Sequence, residues 1–211
     1  MHIIWKGQTC FQIIAQKAKG EQVSVVIDPL EEASGLKMSS TEADIVIFSG
    51  SQDKAGMKAI KGDPFIIETP GEYEIKEVFV LGIPVAYAKE GEMSIFSIET
   101  EGIRVGHLGR LKKKELTDAE IEKLGDIDIL LVPVGGNDVI EAEEARKIVL
   151  QIEPRVVIPM HYRIPGLKAK LSGADEFLKI MGAKDVERMS KFLIKKKDLS
   201  KEETKVVVLD P

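Results

Sequence analysis

The chain has 211 residues, 44% hydrophobic and 31% charged, the balance of a globular protein long enough to bury a sizeable core. Its net charge of −5 argues against a nucleic-acid surface, which needs a basic excess to offset phosphate. A single cysteine, Cys10, excludes an intrachain disulfide and a cysteine-rich zinc site; beside Phe11 it reads as a small buried apolar residue. No leader-like N-terminus and no run of roughly 20 apolar residues is present, so the expected setting is the cytoplasm, away from membranes. No linker rich in proline, glycine or serine interrupts residues 1–211, which are expected to form one domain.

Residues 2–14 alternate loosely around the turn Gly7-Gln8-Thr9, with Ile3, Trp5, Phe11 and Ile13 as apolar anchors. Residues 23–27 form a further strand that Asp28-Pro29 stops, because proline cannot donate to a central ladder. Residues 45–48, Ile-Val-Ile-Phe, predict a buried strand that runs into the polar turn Ser49-Gly50-Ser51-Gln52-Asp53 and then a helix over 54–61. Short strands follow at 65–67 and twice across 74–83, and 93–99 pairs with 103–107 as a hairpin about Glu101-Gly102.

The second half changes character. Thr117 and Glu120 make a capping box ahead of Ile121 and Leu124, and Gly125 ends that helix. Residues 127–134 are a strand that is apolar apart from Asp128, and Ala142, Ala145, Ile148, Val149 and Ile152 set a helical stripe over 141–152. A buried strand at 156–158 ends in Pro159-Met160-His161-Tyr162; a serine-capped helix over 172–181 and closing strands at 192–194 and 206–209 complete the chain. Apolar strands followed by capped helices predict a layered α/β architecture.

Polar residues gather at the ends of the apolar strands: Asp28, Ser49 to Asp53, His107 with Arg110, Gly135-Gly136, and His161. Strand ends of this kind are where layered α/β proteins place ligands. If they converge on one edge, Asp28, Gln52, Asp53, Arg110 and His161 floor a cleft. His161 and Asp53 are then candidates for a base and its orienter. The blander role for His161 is support of the fold at a strand end, and His2 and His107 read as structural or exposed.

These segments carry a resemblance to the metallo-β-lactamase superfamily, closest to its lactonase-like branch of small hydrolases. The matching stretches are 5–11, 27–29, 43–47, 70–74, 82–84, 102–105, 107–109, 128–136, 143–145 and 154–162, in the family's order along nearly the whole chain. The resemblance implies a four-layer αββα sandwich, two mixed sheets back to back with helices outside and the active site along one edge. It also implies a dinuclear zinc site whose main motif, His-x-His-x-Asp-His, follows the strand at 45–48. Matched to that motif, this chain has Gly50, Gln52, Lys54 and Ala55, with Asp53 at the variable position. Tyr87 falls on or near the next histidine, Arg110 stands at the bridging aspartate, and only the last histidine is retained, as His161.

Zinc requires neutral imidazole or anionic ligands, at least three of them in a catalytic site. Gly50 and Ala55 have no donor, and Lys54 and Arg110 put positive charge at ligand positions. On this ground the expectation is a catalytically degenerate member without a metal cofactor, His161 being vestigial, that acts by binding or assembly as a homo-oligomer or with an active relative. Two alternatives stand beside it. One is a metal-dependent or residual hydrolase of lactones or phosphoesters, with Asp53, His161, Gln52 and Tyr87 in the cleft. The other is a small-anion binder using Lys54, Arg110, Asp28 and Ser51.

Overall fold

Two-residue alternation decides where each face of the N-terminal strands goes. In Val25-Val26-Ile27 and Ile45-Val46-Ile47 the outer pair of each triplet joins the main core, and the middle valine packs into a smaller cluster with Cys10, Leu30 and Phe48. A sheet buried on both faces in this way must lie between layers. The computed structural model describes the chain except residues 19, 51–53, 88–90, 184 and 201–202, with backbone alone at 86–87 and 91–92.

The strands are β1 His2–Gly7, β2 Cys10–Gln16, β3 Gln22–Ile27, β4 Thr41–Glu42, β5 Ile45–Ile47, β6 Ile60–Lys61, β7 Phe65–Ile67, β8 Gly71–Ile75, β9 Val78–Tyr87, β10 Gly91–Thr100 and β11 Ile103–His107. They are followed by α1 Asp118–Leu124, β12 Ile129–Pro133, α2 Ala142–Ile152, β13 Val156–Met160, α3 Asp175–Ile180, β14 Arg188–Met189, β15 Phe192–Leu193, β16 Lys205–Val206 and β17 Val208–Leu209. One sheet runs β15-β1-β2-β3-β5-β7 and the other β16-β13-β12-β11-β10-β9-β8. Their facing sides share one core that includes Trp5, Phe11, Ile47, Phe96, Val105 and Leu131. The second sheet is backed by helices, with Ala145, Ile148 and Val149 of α2 in the same core. The first sheet is backed by a thinner layer, in which Met57 and Ile60 cover the smaller cluster. The architecture is the αββα sandwich, with one outer layer built from 3-10 turns.

Two predicted helices are shorter than their sequence patterns. Lys54–Ala59 is a 3-10 helix rather than an α-helix, because Ile60 and Lys61 are drawn into parallel pairing with Thr41 and Glu42. The last helix starts at Asp175, not Ser172: the Ser172 N–H donates to Gly135 O (2.8 Å) and its carbonyl accepts from Arg163 N (2.9 Å), so that residue ties down a loop instead of capping. The Thr117–Glu120 capping box, the Gly125 stop and the Glu101-Gly102 hairpin turn are as expected. No helix among the described residues is long and apolar enough to cross a membrane.

Parallel pairing positions the site. Strands β3, β5 and β7 run in one direction in the first sheet, and β11, β12 and β13 do so in the second. Parallel neighbours end together, so Asp28, Ser49, Arg110, Gly135 and His161 all emerge at strand carboxyl ends. Hydrogen bonds join the sheets at this edge, from Ser94 N to Ser49 O (2.7 Å) and from His161 N to Gln8 O (3.1 Å).

Candidate functional site

The edge is built from three turns. Asp28 follows β3 with a left-handed backbone (φ 47) that swings its side chain under the end of β5. One carboxylate oxygen accepts from Ser49 N and the other from Ser49 Oγ, each at 2.7 Å, and Asp28 is only 3% exposed. A buried charge is stable only when its oxygens are hydrogen-bonded in this way. Asp28 therefore fixes the turn, and its oxygens are spent inside the fold rather than offered to a ligand. Gly109 closes the same corner: a Cβ there would stand 2.6 Å from Ser49 Oγ.

The two buried histidines differ in kind. His107, at the end of β11, uses both ring nitrogens: Nδ1 accepts from Gly109 N (3.1 Å), so Nε2 carries the hydrogen donated to Thr9 O (2.9 Å). Its ring meets the edge of Phe11 at 6.1 Å, and burial pushes its pKa down, keeping it neutral. It is a structural histidine. His161 is equally buried (0% side-chain exposure) but only half satisfied. It follows β13 in a left-handed conformation (φ 50), and Nε2 lies 3.2 Å from Asp138 Oδ1. Among the described residues Nδ1 has no hydrogen-bond partner. A buried polar atom left without a partner costs about 1–3 kcal/mol. Such atoms are informative because they are rare and call for completion by something from outside.

Asp138 comes from the β12–α2 loop, where Gly136 (φ 64) and Asn137 (φ 62) bend the chain back toward β13. Its carboxyl is held below the usual carboxylate range, first by the hydrogen bond with His161, against the opposing effect of burial, and further by the nearby Arg110 guanidinium. Gly135 opens this loop against His161: a Cβ on it would stand 2.2 Å from His161 O. Arg110 places a guanidinium nitrogen 3.5 Å from Glu31 Oε1, while its buried Nε has no partner among the described residues. Lys54 is half out in solvent and paired with Glu68. A cleft of about 330 Å³ beside the Lys54–Glu68 pair is walled by Phe48, Ser49, Gly50, Glu68 and Met93.

Of the residues singled out in the sequence, the fold brings Asp28, Arg110 and His161 to one edge. Ser51, Gln52 and Asp53 lie outside the described residues, and so does the Tyr87 side chain, whose backbone pairs with Gly91. Lys54 and Arg110 do not make an unopposed cationic pocket, since each has a carboxylate partner. Sequence reasoning missed Asp138, Glu31 and Glu68. Asp138 had a usable signal, as an acidic residue just past the Gly135-Gly136 strand end; the two glutamates had none, because their pairing depends on the fold.

A family model for the β-lactamase superfamily domain matches residues 2–161. A UPF0173 metal-dependent hydrolase of Thermococcus onnurineus is 26% identical over 215 residues, covering 84% of this chain and 91% of that protein. A second UPF0173 metal-dependent hydrolase, from Pyrococcus abyssi, is 31% identical over 121 residues, and that match spans 52% of its length. A crystal structure from Thermotoga maritima, named as a Zn-dependent hydrolase of the metallo-β-lactamase superfamily, superposes with a TM-score of 0.81 at 33% identity, covering 99% of this chain and 97% of the other.

These relatives overturn two expectations, that the chain is a non-catalytic pseudoenzyme and that it uses no metal cofactor, for they carry the names of metal-dependent and Zn-dependent hydrolases. The physical error lay in reading Lys54 and Arg110 as bare charges that would repel a metal. In the fold both are opposed by carboxylates, and a third carboxylate, Asp138, stands against His161. With its strands, its edge site and its nearly full-length match to a solved member, the chain belongs to the metallo-β-lactamase superfamily.

Proposed function

We propose that this chain is a hydrolase of the metallo-β-lactamase superfamily and depends on a metal ion. The observation that carries the reading is the family match ending at His161, a buried histidine with one ring nitrogen unpartnered among the described residues. A neutral imidazole nitrogen of this kind can accept a proton or bind a cation. The relatives named as metal-dependent hydrolases support the second use.

The described residues do not complete a metal site. Among them no three His, Cys, Asp or Glu side chains gather around one point. Gly50 and Ala55 bring no donor, and Asp28 is committed to Ser49. What the chain's own residues supply is an ordered edge: Asp28 and Gly109 fix the Ser49 corner, Gly135 fixes the approach to His161, and Asp138 with Arg110 brings charge to that histidine.

The test is elemental analysis of protein purified without chelator, followed by assays on ester, lactone and phosphodiester model substrates with added Zn²⁺ or Mn²⁺. The expected result is bound transition metal and turnover that both chelator and His161→Ala abolish. Wild-type protein with neither metal nor turnover across the panel would refute the proposal.

A further inference from the structure

We infer that Asp138 is a positioning residue for His161: it holds the ring as the Nε2–H tautomer and leaves Nδ1 as the nitrogen that acts. The inference rests on the hydrolase reading for its purpose, though not for its geometry. A carboxylate with no proton can only accept a hydrogen bond. With Asp138 Oδ1 3.2 Å from Nε2, that nitrogen must carry the hydrogen, and in the neutral ring the lone pair then lies on Nδ1. Nδ1 is buried and has no partner among the described residues. The two observations are independent and agree, one naming the nitrogen that is tied and the other the nitrogen that is spare.

The surroundings support the assignment. The Arg110 guanidinium favours an ionised Asp138 through its charge, and Arg110 is itself tethered by Glu31. The histidine backbone is held in place, because its N–H donates to Gln8 O. His107 serves as the internal contrast, since its tautomer is fixed by backbone groups alone. A carboxylate behind a working histidine orients the ring and raises the basicity of its free nitrogen, and losing such a partner costs about 10–100-fold in activity or metal affinity.

The experiment is two-bond ¹H–¹⁵N spectroscopy of the histidine rings in the purified full chain, near neutral pH, for wild type, Asp138→Ala and Asp138→Asn. Wild type should show His161 as Nε2–H. Asp138→Ala should move His161 toward a mixture of tautomers, and Asp138→Asn, which keeps an oxygen acceptor, should restore the wild-type pattern. His107 should be unchanged throughout, reporting an intact fold. On a substrate that wild type turns over, Asp138→Ala should lower kcat at least about 10-fold with KM little changed. An Nδ1–H tautomer in wild type overturns the inference, and so does a His161 spectrum unaffected by Asp138→Ala. If the tautomer result holds and no substrate is ever hydrolysed, the proposed function fails and the positioning of His161 by Asp138 stands.

Discussion

Replacing Asp28 with alanine tests whether the edge is built from inside the fold. The substitution removes the acceptor of two 2.7 Å hydrogen bonds from Ser49, one from its N–H and one from its hydroxyl. Hydrogen bonds to a charged group contribute about 1.5–3 kcal/mol each, so the gross loss is about 3–6 kcal/mol. Two smaller effects oppose one another. Deleting a buried charge returns part of its desolvation cost, while alanine at φ 47 adds about 1 kcal/mol of backbone strain. The net expectation is about 3–5 kcal/mol, which for a chain of this size lowers Tm by about 6–20 °C. Asparagine tolerates left-handed backbone and keeps one acceptor oxygen, so Asp28→Asn should cost about half as much. Urea unfolding followed by circular dichroism gives both values. A loss below about 1 kcal/mol for Asp28→Ala, or equal losses for the two variants, would refute the claim that this carboxylate anchors the turn.

Three further outcomes follow from the same contacts. Gly135→Ala would bring a Cβ to 2.2 Å from His161 O and 3.0 Å from Tyr162 Cα; relief requires backbone movement, so a loss of about 3 kcal/mol or more is expected in chemical denaturation, with a shifted His161 ring resonance. His107 has a folded pKa below its ordinary 6.5 because burial disfavours the charged ring. The unfolded chain therefore takes up the extra proton first, and the contribution of His107 is fully present above pH 6.5 and is lost as pH falls from there toward the folded value, at up to about 1.4 kcal/mol per pH unit. His107→Gln, which can keep both hydrogen bonds, should flatten the dependence of stability on pH in that window, and an unchanged slope would contradict the assignment. Thr117→Ala removes the side-chain acceptor of the Glu120 N–H and should cost about 1 kcal/mol by thermal unfolding, with no change at the His161 edge.

The sandwich was legible because its signals are local and redundant. Val25 to Ile27 and Ile45 to Ile47 are apolar on both faces, so they had to lie between layers wherever the rest of the chain went. Thr117, Glu120 and Gly125 carry their cap within a few residues. The helix over 54–61 was misjudged because a non-local pairing, Ile60 with Thr41, outcompetes local propensity. Ser172 looked like a cap and instead bridges Gly135 and Arg163, a contact that no sequence window contains. The site was legible as positions and illegible as electrostatics. Arg110 and Lys54 read as cations in the sequence, but the carboxylates that oppose them, Glu31 and Glu68, are remote from each along the chain. A substituted ligand motif records which donors are missing, and partners assembled by the fold decide what field remains.

Backbone strain at this edge explains how the side chains are aimed. Gln8, Asp28, Asn137 and His161 all have positive φ, between 47 and 62, without being glycine. The same conformation at Lys76, Glu77 and Glu101 needs no special account, because it turns exposed hairpins, where such backbone is ordinary. Next to buried strands it costs about 1–3 kcal/mol per residue and persists only when surrounding contacts over-determine it. Here they do. The Gln8 carbonyl is held by both Trp5 Nε1 (2.8 Å) and His161 N (3.1 Å), and Asp28 by the Ser49 corner. A strand that simply continued past Met160 would send successive side chains to alternate faces of the sheet. The left-handed step at His161 breaks that alternation at the strand end and presents its ring to Asp138 from the neighbouring loop. The rigid core on either side carries the cost, and the result is a buried imidazole hydrogen-bonded at one nitrogen and, among the described residues, unpartnered at the other.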